Sequence, residues 1–209
     1  MTGVFQRFAI SFNLLFVGCL VLIHFQPYDD HDLRNLLFTP DCVAPCFMNI
    51  QPGLTSAADA VRTLEGSEWV GQIQVGPYGI LWRWNGRQPL AFQNLYPVSS
   101  EKYDGVIAFA DGLVVNIILS SPLKLGDLYL ALGPPQKIGS ISIQHSAYVQ
   151  MNIPFGDEAF MASVTIECPV ATATYWQSSG RMMWLKDNVG DGNSTNWRDL
   201  LLIFRRYDC

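Results

Sequence analysis

The stretch from Phe8 to Phe25, FAISFNLLFVGCLVLIHF, runs for 18 residues without an Asp, Glu, Lys or Arg. A run of about 18 apolar residues is long enough to be read as a membrane span. Arg7 precedes it, and Asp29, Asp30 and Asp32 follow closely. Basic flanks stay cytoplasmic, which predicts a single-pass protein of the cell membrane with the bulk of the chain on the extracytoplasmic side. A cleaved signal peptide is the rival reading. No Ala-x-Ala site closes the run, so the uncleaved anchor is preferred.

Charge and composition narrow the rest. The chain carries 13 Lys+Arg against 18 Asp+Glu, a net charge of -5. A nucleic-acid binder needs a basic face to neutralise phosphates, so nucleic acid is excluded as a partner. Hydrophobic residues make up 49% and charged residues 15%, against a usual charged share of about 25%. That balance excludes intrinsic disorder.

The cysteines fit export. Phe16-Val17-Gly18-Cys19 is similar to a bacterial lipobox, but Phe16 replaces the usual Leu and Leu20 to Ile23 stay apolar. Cys19 is therefore read as a small apolar residue within a helix. Cys42 and Cys46 lie in DCVAPC, while Cys168 and Cys209 are far apart. Four cysteines allow three pairings. A local Cys42–Cys46 bridge and a Cys168–Cys209 bridge that ties down the carboxyl end are expected in an oxidising compartment. No His or Cys pair follows at zinc spacing, so no metal is assigned to them.

Beyond the run, helix and strand signals recur in the same order. Thr55 or Ser56 can cap a helix, with Asp59 in the first turn as a capping-box partner for Ser56. Ala57, Ala60, Val61 and Leu64 then form one helical stripe that Gly66 stops. Leu125, Leu128, Tyr129 and Leu132 repeat the spacing before Gly133-Pro134-Pro135. Strand-like runs follow each stripe: Trp69–Val75, Gly79–Trp84, Val106–Ala110 and Leu113–Leu119, then Ile138–Ile143, Ala147–Ile153, Ala159–Glu167, Thr172–Trp176 and Met182–Lys186, with Leu200–Tyr207 as a further candidate. Asn85-Gly86 and Asp111-Gly112 are tight-hairpin signals. The predicted fold class is α+β: an N-terminal transmembrane helix, then two tandem helix-plus-antiparallel-sheet modules. The divisions are 1-25 (anchor or signal), 26-40 (juxtamembrane linker), 41-120 (first module) and 121-209 (second module).

Ile50-Gln51-Pro52-Gly53-Leu54-Thr55, the helix after it, a Trp-rich strand and the Gly-x-Ile-x-Phe-x-Asp-Gly-x-Val segment from Gly105 to Val114 resemble the SmpA/OmlA (BamE-like) lipoprotein module. Leu125 to Pro135 resembles the helix and Leu-Gly-x-Pro ending of that module. Two such modules in tandem resemble the β-lactamase inhibitory protein fold. The resemblance covers about residues 48–170. It implies an exported, non-enzymatic scaffold that contacts other proteins.

No catalytic constellation is read from the residues. The three histidines are His24, His31 and His145, and only His145 falls in the folded region. Ser140, Ser142 and Ser146 are its neighbours in sequence, which is not a nucleophile–base geometry. Asp157-Glu158 are adjacent, whereas general-acid work needs two carboxyl groups converging across a cleft. Asp29 to Asp32 reads as a solvated stalk. In Asp187 to Asn196 the spacing of Asp191, Asn193 and Thr195 mimics a calcium loop, but Asn196 stands for the turn Gly and Leu202 for the closing Glu. No phosphate-cradling loop precedes a helix. No cofactor is assigned.

Six Trp are many for 209 residues. On a strand, Trp82-Arg83-Trp84 puts both indoles on one face and the guanidinium on the other. With Tyr78 and Trp69 they form either a large aromatic core or a contact surface, since Trp, Tyr and Arg dominate binding hot spots. The functional expectation is a membrane-anchored extracytoplasmic interaction or scaffold module with no catalytic site, bound to the membrane by its helix and to another envelope protein. The alternatives are an envelope hydrolase with a cleft between modules, and a small-ligand or lipid carrier lined by Phe109, Ile117 and Leu119.

Overall fold

The computed structural model describes residues 2–25, 33–38, 42–93, 103–135, 137–144, 148–156, 160–186 and 195–196. Three helices precede the first strand: α1 (Thr2–Phe25), α2 (Leu33–Leu37) and α3 (Ala57–Glu65). Four strands follow as a meander: β1 (Val70–Gly76), β2 (Gly79–Trp84), β3 (Gly105–Ala110) and β4 (Leu113–Lys124). Helix α4 (Leu125–Leu132) leads to β5 (Lys137–Ile138) and the strands β6 (Ser140–Gln144), β7 (Tyr148–Pro154) and β8 (Phe160–Glu167). Helix α5 (Thr172–Gln177), β9 (Ser179–Leu185) and β10 (Thr195–Asn196) complete the order.

The fold class expected from the sequence is corrected here. The strands do not close into two separate modules. Eight of them form one antiparallel sheet in the order β1-β2-β3-β4-β9-β8-β7-β6, while β5 and β10 pair apart from it. The seam is β4 against β9, with Asn116 opposite Leu185 and Ser120 opposite Arg181. Each half thus supplies the other's missing edge, and their apolar residues merge into one core cluster. Burying one shared core is more favourable than maintaining two small ones, because small domains hide a smaller fraction of their surface.

The membrane span and the single-pass localisation are corrected as well. Among the described residues no helix is long and apolar enough to cross a membrane. The α1 side chains that are described run from Ile10 to Leu22 and are exposed.

Local chemistry explains the elements that position the sheet. Ser56 is the N-cap of α3: its Oγ accepts from the Asp59 amide at 3.1 Å and donates to Asp59 Oδ2 at 2.6 Å. Ala60 and Leu64 are the buried face of the stripe. The lead-in to α3 is tied to the β3–β4 turn, since Gly53 donates to the Val114 carbonyl, Val114 to Thr55 and Ala57 to Gly112. At that turn Asp111 and Gly112 have φ of 54° and 77°, the positive pair that a two-residue hairpin requires. Asn85-Gly86 makes no hairpin. Asn85 Oδ1 instead accepts from the Arg87 amide at 2.9 Å, an Asx turn that leads β2 into a loop. Residues 172–176, read as strand, are helical in α5. Tyr175 there is buried and its hydroxyl lies 2.7 Å from that of Tyr129 in α4, so a tertiary contact overrides the β preference of Thr, Tyr and Trp.

All described helices beyond α1 contribute buried residues to the core on one side of the sheet. A chain of ring contacts runs through it. Trp82 meets Trp84, Trp84 stacks on Phe92, and Phe47 bridges Phe92 to Trp184. Trp184 reaches Phe160, which meets Phe38 and Phe155, and Phe155 meets Tyr129. The chain crosses the β4–β9 seam, so both halves share one aromatic spine. Trp184 Nε1 donates to the Leu37 carbonyl at 3.2 Å in the interior, which fixes α2 to the sheet. Cys42 and Cys46 are bridged, with Cα atoms 6.0 Å apart. Cys168 is also disulfide-bonded and Cys19 is free. Cys209 lies outside the described residues.

Candidate functional site

Strand alternation sends every second residue away from the helices. In β2 the core side takes Ile80 and Trp82, and the other side Leu81 and Arg83. The strand registers bring the outward residues into rows. One row runs Leu81, Val106, Ile118, Met183, Met161 and Pro154 across β2, β3, β4, β9, β8 and β7. It is apolar throughout and no described helix packs on it, with Met161 buried and the other five half-buried. Such a row is unusual, since an antiparallel sheet with one side on the core normally turns polar residues outward.

The neighbouring row is polar. Ser120, Arg181, Ser163 and Asn152 face one another across β4, β9, β8 and β7. Gln72 and Arg83 extend it on β1 and β2. Arg83, Arg181 and Thr165 are exposed on this face. Gln150 donates to Ser163 Oγ at 3.1 Å. Asp104 is fixed at the start of β3: its carboxylate accepts from the Trp84 amide at 2.9 Å and its carbonyl from the Ser120 amide at 2.9 Å. Between the rows lies a cavity of about 310 Å³ lined by Tyr103, Asp104, Val106, Ile118, Ser120 and Arg181. The Tyr103 hydroxyl donates to Gln74 Oε1 beside it. Asn116 Oδ1, on the same side of β4, is buried without a hydrogen-bond partner among the described residues.

The aromatic set singled out from the sequence is divided by the fold. Trp82 is 0% exposed and belongs to the core. Its ring lies over Gly105, where a Cβ would come within 2.0 Å of it. Trp84 is half-buried against Phe92. Arg83 points to the outer face, as the alternation requires. Tyr78 sits in the β1–β2 turn at 82% exposure. Trp69 is on the helix side, in a shallow cleft of about 370 Å³ with Leu36, Met48, Thr63 and Glu68. The five residues therefore do not form one surface.

The outward row of Leu81, Val106, Ile118, Met183 and Met161 was not singled out from sequence. Its signal is the alternation within each strand, but the row exists only once distant strands are in register. Ile117 and Leu119, named for a carrier cavity, are fully buried in the core cluster, and Phe109 packs on it. His31, His145, Asp29 to Asp32 and most of the Asp187 to Asn196 loop lie outside the described residues. Among the described residues no three His, Cys, Asp or Glu converge as metal ligands. No family model, curated protein or solved structure matches this chain.

Proposed function

We propose that the protein is a non-enzymatic binding module and that the sheet face opposite the helices holds another protein. The observation that carries this reading is the apolar row across six strands, bordered by a row of Ser, Asn, Gln and Arg, on a side that no described helix covers. An apolar centre with a polar rim is the usual make-up of a protein contact. Exposed Arg83 suits a partner that presents a carboxylate beside an apolar ridge. The resemblance to a protein-contacting scaffold supports the same conclusion. The disulfide between Cys42 and Cys46 fits binding in an oxidising compartment.

The test compares capture by three forms of the full chain from the extract of its source. Arg83→Glu and Met183→Lys alter the outer face. Leu130→Asp alters an exposed position of α4 on the helix side. Circular dichroism verifies that all three are folded. A partner retained by the wild type and by Leu130→Asp, and lost at least tenfold with the face variants, is the expected result. Capture that is indifferent to the face variants refutes the assignment.

A further inference from the structure

We propose that two copies of this chain join edge to edge through β1, in an antiparallel pairing with Gln74 on the two-fold axis. Among the described residues β1 is paired on one side only, with β2. Gly76 and Gly79 close the two-residue turn Pro77-Tyr78, and Gln74 faces Leu81 two positions on. The closing pair of such a hairpin is hydrogen-bonded, and the bonded pairs then alternate. The Phe109 amide donates to the Tyr78 carbonyl at 2.9 Å, in keeping with even-numbered residues of β2 turning toward β3 and odd-numbered ones toward β1. The N–H and C=O groups of Ile73 and Val75 therefore point to the open edge.

An exposed edge is a template for another strand, and proteins usually blunt it with charge, Pro or a bulge. β1, VGQIQVG, holds no charged residue and no Pro. A register shift between Val70 and Gln72 ends the regular stretch, which leaves Gln72 to Gly76. That stretch complements itself. With Gln74 opposite Gln74, Ile73 of one copy faces Val75 of the other on the helix side, and Gln72 faces Gly76 on the outer side. Apolar meets apolar, amide meets amide, and nothing repels. Four backbone hydrogen bonds form between Ile73 and Val75 of the two copies. Val75 is 58% exposed in the single chain, and the pairing covers it. A foreign strand needs no such symmetry, so the self-matching pattern favours a second copy. The interface is isologous and smaller than the standard size of about 1,600 Å². The dissociation constant expected for it is roughly 10–100 μM. The two sheets then become one, and the outer faces run on without a break.

The test is register-resolved cross-linking of the full chain carrying Cys19→Ser. Across the axis, the two 74 positions sit about 4.5–5.5 Å apart at Cα, within disulfide reach. The two 72 positions are about 14 Å apart along the strands. Mild oxidation is expected to give at least tenfold more covalent dimer from Gln74→Cys than from Gln72→Cys. Equal yields, or no dimer from Gln74→Cys, overturn the proposal. Sedimentation equilibrium supplies a second measurement. Gln74→Lys and Gln74→Glu alone are each expected to weaken association about tenfold, and an equimolar mixture to restore it. Association through the exposed apolar side chains of α1 does not respond to residue 74, so an unchanged constant in the single variants also overturns the pairing.

Discussion

Gly105→Ala tests whether Trp82 is the packing centre of the first half. A Cβ at residue 105 falls 2.0 Å from Cζ2, 2.2 Å from Cη2 and 2.3 Å from Cε2 of Trp82. Ordinary contact begins near 3.4 Å, so the ring must withdraw by about 1.4 Å, from a core packed as densely as an organic crystal. It has nowhere to go, since Trp82 is 0% exposed and its ring meets Trp84, which stacks on Phe92. Overpacking of this kind costs about 3 kcal/mol, the upper end of the usual range. Trp82→Phe removes the part of the indole that the added methyl meets, and with it the ring N–H, which is buried with no partner among the described residues. Its own cost is expected near 1–2 kcal/mol, because relief of the orphaned donor offsets part of the lost volume. The double variant should then be at least 1 kcal/mol more stable than the sum of the single effects implies. The assay is urea denaturation followed by fluorescence and circular dichroism, read as a double-mutant cycle. Additivity within about 0.5 kcal/mol is the behaviour of residues that do not touch, and it would falsify the packing account.

Two further outcomes follow from local geometry. Burial pushes the phenol of Tyr129 above its ordinary value, and burial followed by the neighbouring Tyr129 pushes Tyr175 higher still. A raised value means the folded state keeps its proton where the unfolded state has lost it, so stability is whole below about pH 10 and falls as pH rises past it, by up to about 1.4 kcal/mol per unit for each group. Urea midpoints at pH 9 and 11 should diverge, and Tyr129→Phe should reduce the divergence; equal slopes in the two proteins contradict the reading. Ser56→Ala removes the α3 cap and is expected to cost about 1 kcal/mol, with hydrogen exchange rising first at the Asp59 amide.

The helices were legible where their signals are local. Ser56, the Ala57 to Leu64 stripe and Gly66 specify α3 from neighbours alone, and Leu125, Leu128 and Gly133 do the same for α4. Asp111-Gly112 fixed a turn because only positive φ satisfies it. Trp82-Arg83-Trp84 likewise foretold its own alternation, indoles inward and guanidinium outward. What sequence did not carry was the partner of each strand. β4 and β9 meet across some sixty residues of chain, and nothing in either strand names the other. Without that pairing the two helix-then-meander runs read as separate bodies. For the same reason the outward apolar row stayed hidden: each strand contributes a single member. Asn85-Gly86 and Thr172–Trp176 failed in another way, since an Asx turn and a tyrosine pair supplied energies that exceeded local preference.

The seam between β4 and β9 also sets a timetable. A ribosome delivers β1 to β4 long before Met182, Met183 and Trp184 emerge, so the nascent chain must carry β4 with one flank bare throughout the interval. That strand, LVVNIILSSPLK, is among the stickiest segments the chain possesses. Closing so distant a contact is slow for any polypeptide. Until residue 185 has emerged, β4 keeps the open flank that β9 later covers, and an uncovered strand edge is a template for pairing with other chains.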